Sequence, residues 1–151
     1  SNQENISNQK NEDKKNIVPK NYLIEVYKYM AQYEDIEVDQ GTSVKYQIQL
    51  LDVSGGKRDL SNYFVRGSLK HTYSSDSDTA VNFLTNIDAP PQNGIINFSL
   101  TPQQTATLTK RRYVYDIEIE YDQNSVAVVE RVLEGKVFVS GQVTDTIVRP
   151  V

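Results

Sequence analysis

Three acidic side chains recur at every second position within the segment YVYDIEIEY. On a strand, Asp116, Glu118 and Glu120 would project from one face at a spacing of roughly 7 Å. Carboxylates at similar separations act as acid and base in inverting glycosidases. A solvent-exposed strand face produces the same alternation, so catalysis is the less favoured interpretation of these residues.

A polar loop after His71 offers two further kinds of chemistry. His71 is followed closely by Ser74, Ser75 and Asp76, which are residue types of a nucleophilic mechanism. Asp76 and Asp78 also offer oxygen ligands for calcium, but the spacing and the glycine of an EF-hand are missing. We interpret this segment as a surface loop and expect no catalytic residue, metal or cofactor.

Lys110-Arg111-Arg112 is the only run of three consecutive cationic residues. Such a cluster can steer phosphate groups or an acidic partner, but a solvated turn is the favoured explanation. No glycine-rich phosphate-binding loop follows any of the predicted strands.

Tyrosine dominates the aromatic residues, with 10 Tyr against 4 Phe and no Trp. Four tyrosines fall close together near the start of the predicted domain: Tyr22, Tyr27, Tyr29 and Tyr33. Exposed tyrosines there would form a protein interface or a platform for stacking sugars. The alternative function is therefore a carbohydrate-binding surface module that uses these tyrosines and the loops around Asp76 and Asn93.

The overall composition excludes several classes of function. The chain of 151 residues carries a formal net charge of −4, which disfavours sequence-independent binding of nucleic acid. The absence of cysteine excludes disulfides, thiolate catalysis and cysteine-ligated zinc. No segment approaches the roughly 18 apolar residues of a membrane span, and the N-terminus lacks the pattern of a signal peptide. We expect a protein that is made in the cytoplasm and binds neither nucleic acid nor membrane.

The segment from residue 113 to residue 144 organises the predicted fold. Tyr113, Tyr115, Ile117, Ile119 and Tyr121 alternate with polar residues, which is typical of a half-buried strand. A turn over residues 122–125 leads into a second β-rich stretch, so the pattern predicts a long hairpin. A glycine inside a strand usually marks a break, so we expect the second arm to bend or bulge at position 135.

Earlier strand patterns occur at regular spacing between residues 33 and 100, separated by polar turns. Thr101 and Pro102 provide an N-cap and a first helical residue, which predicts one helical turn before the hairpin. This order matches the E–F corner of immunoglobulin-like domains, with Tyr113 or Tyr115 bonded to the upstream backbone. The sequence predicts an all-β, immunoglobulin-like β-sandwich of about seven antiparallel strands with an extended N-terminal arm.

Residues 1–29 are predicted to form this arm, and residues 30–151 to form the sandwich domain. Residues 1–20 contain too few apolar side chains to offset their ordering entropy alone. Residues 22–29 alternate like a strand that adds to its own sheet or to a neighbour's, although a two-turn helix fits them too. Met30-Ala31 resembles a translation start, which also favours a boundary here. We expect the arm to bind a partner through Ile17, Val18, Leu23, Ile24, Tyr27 and Tyr29.

The closing hairpin resembles that of small β-sandwich virion proteins of tailed bacteriophages, including the N-terminal domains of baseplate upper proteins. The resemblance rests on the Tyr-x-Tyr-Asp strand at residues 113–116, the stretch Arg131-Val132-Leu133-Glu134-Gly135-Lys136-Val137, and the terminal Val143-Thr144. It covers roughly residues 33–144. Four residues then mark the fold rather than a catalytic site: Tyr113, Tyr115, Asp116 and Gly135.

This resemblance implies a non-enzymatic structural protein of a phage particle. Such a subunit would adapt, decorate or cement the tail, neck, baseplate or head surface. Its partners would be other virion proteins and copies of itself, with a surface glycan as a further candidate. Its location would be the virion.

Overall fold

Two β-sheets pack face to face in a computed structural model of the chain, which describes residues 17–18, 23–27 and 32–144. Sheet A contains, from edge to edge, β1 (Ile17–Val18), β4 (Asp35–Asp39), β11 (Val126–Ser140), β10 (Arg112–Gln123), β6 (Phe64–Lys70) and β7 (Val81–Asn82), and β3 (Gln32–Tyr33) also pairs with β11. Sheet B contains, in order, β2 (Leu23–Tyr27), β5 (Val44–Leu51), β9 (Ile95–Leu100) and β8 (Leu84–Ile87). The predicted all-β sandwich is confirmed.

The core lies between the sheets and is filled by alternate residues of each strand. On β10 the predicted inward row, from Tyr113 to Tyr121, is buried at every second position. Facing it from sheet B, Tyr46 and Phe98 are fully buried, and their rings stack with centroids 5.3 Å apart. The period-two pattern therefore identified the inner face of β10 correctly.

The hairpin of β10 and β11 ends in a tight turn at the predicted position. Asn124 and Ser125 have φ values of 52° and 65°, the left-handed pair that matches the twist of a two-residue hairpin loop. Further along the hairpin, Ile117 pairs with Leu133 whereas Glu118 pairs with Arg131. Val132 is therefore an extra residue, a β-bulge, and it is buried next to Leu133.

The prediction of a bulge at Gly135 is wrong, because the break lies three residues earlier. Gly135 continues the ladder and pairs with Tyr115. The glycine is required for a different reason: a Cβ there would lie 2.0 Å from the carbonyl oxygen of Glu34. The same carbonyl accepts a 2.6 Å hydrogen bond from the Tyr115 hydroxyl, so the backbone at Glu34 is held close to the hairpin.

The predicted helical turn and tyrosine corner are both present. A short helix spans Pro102–Ala106, and the Thr101 and Gln104 side chains cap its start reciprocally. The Tyr113 hydroxyl accepts a hydrogen bond from the backbone N–H of Lys110 at 3.1 Å. Tyr113 thus makes the bond to the upstream backbone that a corner tyrosine makes.

Both sheets are mixed, which differs from the antiparallel arrangement that was predicted. Sheet A contains three parallel pairs: β1 with β4, β4 with β11, and β3 with β11. In sheet B, β2 runs parallel to β5. Local turns force sequential strands to be antiparallel, whereas these N-terminal strands join partners distant in sequence. The described residues contain eleven strands rather than about seven, because short edge strands add to the main ones.

A buried ion pair ties the hairpin to the turn after β5. Arg58, which is 5% exposed, donates to the Glu130 carboxylate at 2.9 Å. Tyr63 and Tyr121 stack with centroids 4.5 Å apart, and the guanidinium carbon lies 5.3 Å from each ring centroid. The Tyr121 hydroxyl donates to Glu130 at 2.6 Å, which completes the cluster.

In the described part of the chain, no helix is long and apolar enough to cross a membrane.

Candidate functional site

The predicted arm residues lie at the edges of both sheets. Ile17 and Val18 pair in parallel with β4, at the edge of sheet A. In β2, Ile24 is buried at 3% exposure opposite Ile48, and Leu23 is half-buried on the outer face. Tyr27 ends this strand, whereas Tyr29 lies outside the described residues.

Ile24 is therefore a core residue of the free chain and not a surface anchor. It reaches a partner only if β2 leaves its own sheet and enters an equivalent place in a neighbour. That these residues bind a partner stays a prediction, as does the domain boundary at residues 29 and 30. The pairing of β1 and β2 with the body shows that the residues before this boundary contribute strands to the sandwich.

The acidic row on β10 is paired with arginine. Glu118 and Glu120 lie 3.3 and 3.4 Å from Arg66. Arg131 lies 3.3 Å from Asp116. This arrangement balances charge across the outer face of sheet A, since each carboxylate has a guanidinium partner.

Asp116 differs from the other two acids in its environment. Burial raises the pKa of its carboxyl, and the cation of Arg131 opposes that shift. Its neighbours across the sheet are Ser68 on β6 and Glu134 on β11. The resemblance marked Asp116 as a fold residue, and here it also lines a surface depression.

The loop after His71 does not assemble a nucleophilic site. The Nδ1 atom of His71 lies 3.4 Å from the carbonyl oxygen of Arg112, and Ser75 instead accepts from the backbone of Thr72 at 3.0 Å. Asp76 is exposed beside a short 3-10 turn, Ser77–Thr79, which includes Asp78. Within residues 17–18, 23–27 and 32–144, no three His, Asp or Glu side chains cluster as metal ligands would.

The basic triplet lies at the end of the sandwich where the helical turn leads into β10. Lys110, Arg111 and Arg112 are exposed, and a shallow depression of about 600 Å³ lies among them, His71 and Phe138. None of the three cations forms an ion pair with another described residue. Their charge is free to meet solvent or an acidic partner.

A smaller and more polar depression lies in the middle of the outer face of sheet A. We call it the Tyr73 hollow, and it has a volume of about 190 Å³. Its lining consists of Ser68, Lys70, Tyr73, Val114, Tyr115, Asp116 and Arg131. Tyr73 belongs to the loop after β6 and is 70% exposed.

Sequence reasoning singled out Asp116 but missed Ser68, Lys70 and Tyr73 as its neighbours. The only available signal was an aromatic residue at the start of a polar loop, which is common on protein surfaces. Tyr33, which was expected on an exposed platform, is 49% exposed and pairs in register with Glu134. Tyr22 lies outside the described residues.

No family model matches the chain, and no curated protein matches it. Among solved structures, the chain is similar to the N-terminal domain of phage TP901-1 ORF48. The two share 10% sequence identity with a TM-score of 0.52, over 80% of this chain and 98% of that one. At this identity the likeness shows a shared fold.

A second similar structure is AggA, the major subunit of aggregative adherence fimbriae type I from Escherichia coli. It is 11% identical with a TM-score of 0.31, over 73% of this chain and 91% of that chain. That TM-score is too low to support an argument.

Proposed function

We propose that this protein is a non-enzymatic structural subunit of a tailed-phage particle that docks on neighbouring virion proteins through its N-terminal arm. Its place would be the tail, neck, baseplate or head surface, and its partners would include copies of itself. The fold shared with a phage protein domain supports this proposal. So does the acidic row on β10, whose carboxylates are paired with arginine rather than poised as acid and base.

The observation that carries the proposal is the position of β1 and β2. Among the residues that the structure describes, each is the edge strand of a different sheet and pairs in parallel with a single neighbour. An edge strand is held by main-chain hydrogen bonds that any extended segment can supply. Strand addition of this kind is a common way for one protein to bind another.

Exchange of β2 between subunits would cost little free energy. The strand would make the same ladder and bury the same Ile24 and Val26 side chains in a neighbouring copy as it does in its own body. Only the entropy of association must then be offset, and contacts of the remaining arm residues with the neighbour would supply this. The proposed anchors are Ile17, Val18, Leu23, Ile24, Tyr27 and Tyr29.

A reversible cross-link between β2 and β5 tests this proposal. Glu25 and Gln49 are partners in the parallel register, and the chain contains no cysteine. Glu25→Cys combined with Gln49→Cys would therefore form one defined disulfide that pins the arm to its own body. We expect particles assembled with the oxidised double variant to lack the protein, and reduction to restore its incorporation.

The two single variants are the matched controls, because each carries one substitution and no cross-link. Normal incorporation of the oxidised double variant would contradict arm exchange. Deletion of residues 1–29 gives an independent result: we expect the shortened chain to fold, as judged by cooperative unfolding, and to be absent from particles.

A further inference from the structure

The Tyr73 hollow combines an exposed aromatic ring with several unused hydrogen-bonding groups. Ser68 and Lys70 pair with β10 through their backbones, and their side chains form no hydrogen bond or ion pair with any described residue. The Oδ2 atom of Asp116 lies 3.3 Å from Nε of Arg131, and a carboxylate has acceptor positions beyond one such contact. Val114 adds an apolar patch to the lining.

We propose that the Tyr73 hollow binds a single pyranose ring of a surface glycan. The Tyr73 ring would cover the apolar face of the sugar, where C–H groups point outward. The Asp116 carboxylate would accept from sugar hydroxyls. Arg131 already donates to Glu134 at 3.0 Å, and its remaining guanidinium N–H groups, with Ser68 and Lys70, would supply donors. This inference does not depend on the proposed docking of the arm.

The size of the hollow limits the ligand. Pockets for drug-sized ligands measure roughly 300–1,000 Å³, whereas this one measures about 190 Å³. It therefore suits one ring and not a nucleotide or a folded peptide. Binding would be weak, with a dissociation constant on the order of 1 mM for a molecule of that size.

The lining also argues against an anchor residue of a protein partner as the occupant. Pockets that receive such anchors are well packed and fully desolvated. Four of the side chains around this hollow, Ser68, Lys70, Asp116 and Arg131, are polar or charged, and Tyr73 is largely exposed. A ligand with many hydroxyl groups satisfies these side chains better than an apolar side chain does.

The test is an NMR titration of the full, isotopically labelled chain with a panel of methyl glycosides of common hexoses, deoxyhexoses and N-acetylhexosamines. We expect at least one sugar to give saturable shifts at the amides of Ser68, Lys70, Tyr73 and Val114. Tyr73→Ala should weaken that binding about tenfold. Asp116→Asn should also weaken it, because the amide replaces a charged acceptor.

Two matched variants control for general effects on this face. Phe64 lies on β6 and is also 70% exposed, but it does not line the hollow, so Phe64→Ala should bind sugar normally. Glu118→Gln removes a neighbouring carboxylate of the same strand in the same way. The proposal is overturned if no sugar in the panel gives saturable shifts, or if Tyr73→Ala and Asp116→Asn bind as tightly as these controls. Because the titration uses isolated monomer, its failure would leave arm docking untouched.

Discussion

The closing hairpin and strand β2 bury their isoleucines almost equally, yet they are attached to the molecule in different ways. Ile119 on β10 is fully buried, and Ile24 on β2 is 3% exposed. Strand β10 is flanked by β11 on one side and β6 on the other, and it is joined to β11 by a two-residue turn. Strand β2 has five residues and, among the described strands, lies at an edge and pairs only with β5.

This difference teaches that burial does not by itself measure how firmly an element is held. A central strand leaves its place only when the whole domain unfolds, whereas an edge strand can open locally at a lower free energy. We therefore expect the hairpin to maintain the fold and β2 to be the element that exchanges. The following predictions test that division.

The largest loss of stability should come from removing the buried ion pair that joins the hairpin to the turn after β5. Glu130→Ala leaves Arg58 buried without its partner, which should lower the free energy of unfolding by about 3–5 kcal/mol. Glu118→Ala is the control, because its partner Arg66 is half exposed, and its cost should be below about 1 kcal/mol. Equal losses in urea denaturation would show that the buried pair does not hold the hairpin.

The same substitution in both regions sharpens the comparison directly. Ile119→Ala should cost about 2–5 kcal/mol, as cavities in a rigid core do. Ile24→Ala should cost about 1 kcal/mol or less, because the loss cannot exceed the free energy with which β2 docks. Chemical denaturation of the two variants provides the measurement, and an equal cost would mean that β2 is as firmly held as the hairpin.

A smaller loss of stability is expected at Gly135, where the backbone at Glu34 lies against the hairpin. Gly135→Ala places a methyl group against the Glu34 carbonyl, and overpacking of this kind costs about 1–3 kcal/mol. Gly141→Ala is the matched control, since no heavy atom lies within 4 Å of the added carbon, and it should be nearly neutral. Thermal unfolding of both variants provides the measurement. If both lower the melting temperature equally, the loss at Gly135 does not come from its contact with the Glu34 backbone.

The smallest predicted effect is a loss of stability at high pH. Burial raises the pKa of Tyr46 and of Tyr115, so each hydroxyl keeps its proton in the folded chain after the unfolded chain has lost it. Their contribution is fully present below the usual tyrosine pKa of about 10 and is lost as the pH rises above it, by about 1 kcal/mol per tyrosine at pH 11. Tyr115→Phe should remove its share of this slope in urea titrations at several pH values. An unchanged slope would show that the Tyr115 proton is not held by the fold.

Sequence reasoning succeeded where the determinants are local. The alternation on β10, the turn at Asn124 and the capped helical turn depend on neighbouring residues, so their patterns were visible. The bulge at Val132 also left a signal, because two consecutive buried apolar residues interrupt the alternation on β11. That signal was overlooked in favour of Gly135, whose role depends on Glu34, a residue far away in the chain.

The other parts that were missed depend on contacts between distant segments. The parallel pairing of β2 with β5 has no local turn to announce it. The Tyr73 hollow likewise requires three strands and a loop to meet on one face of sheet A, and no spacing in the sequence encodes that meeting. Among the side chains of the candidate site, sequence reasoning therefore singled out Asp116 but not Ser68, Lys70 or Tyr73.

The most direct test of the account is native-state hydrogen exchange on the full chain. We predict that the hydrogen-bonded amides of β2 exchange at least about 2 kcal/mol below the free energy of global unfolding, while those of β10 and β11 exchange at the global value. Amides of β2 that are protected to the same extent as the hairpin would contradict the central claim, because the arm could then not leave its own sheet without unfolding the domain.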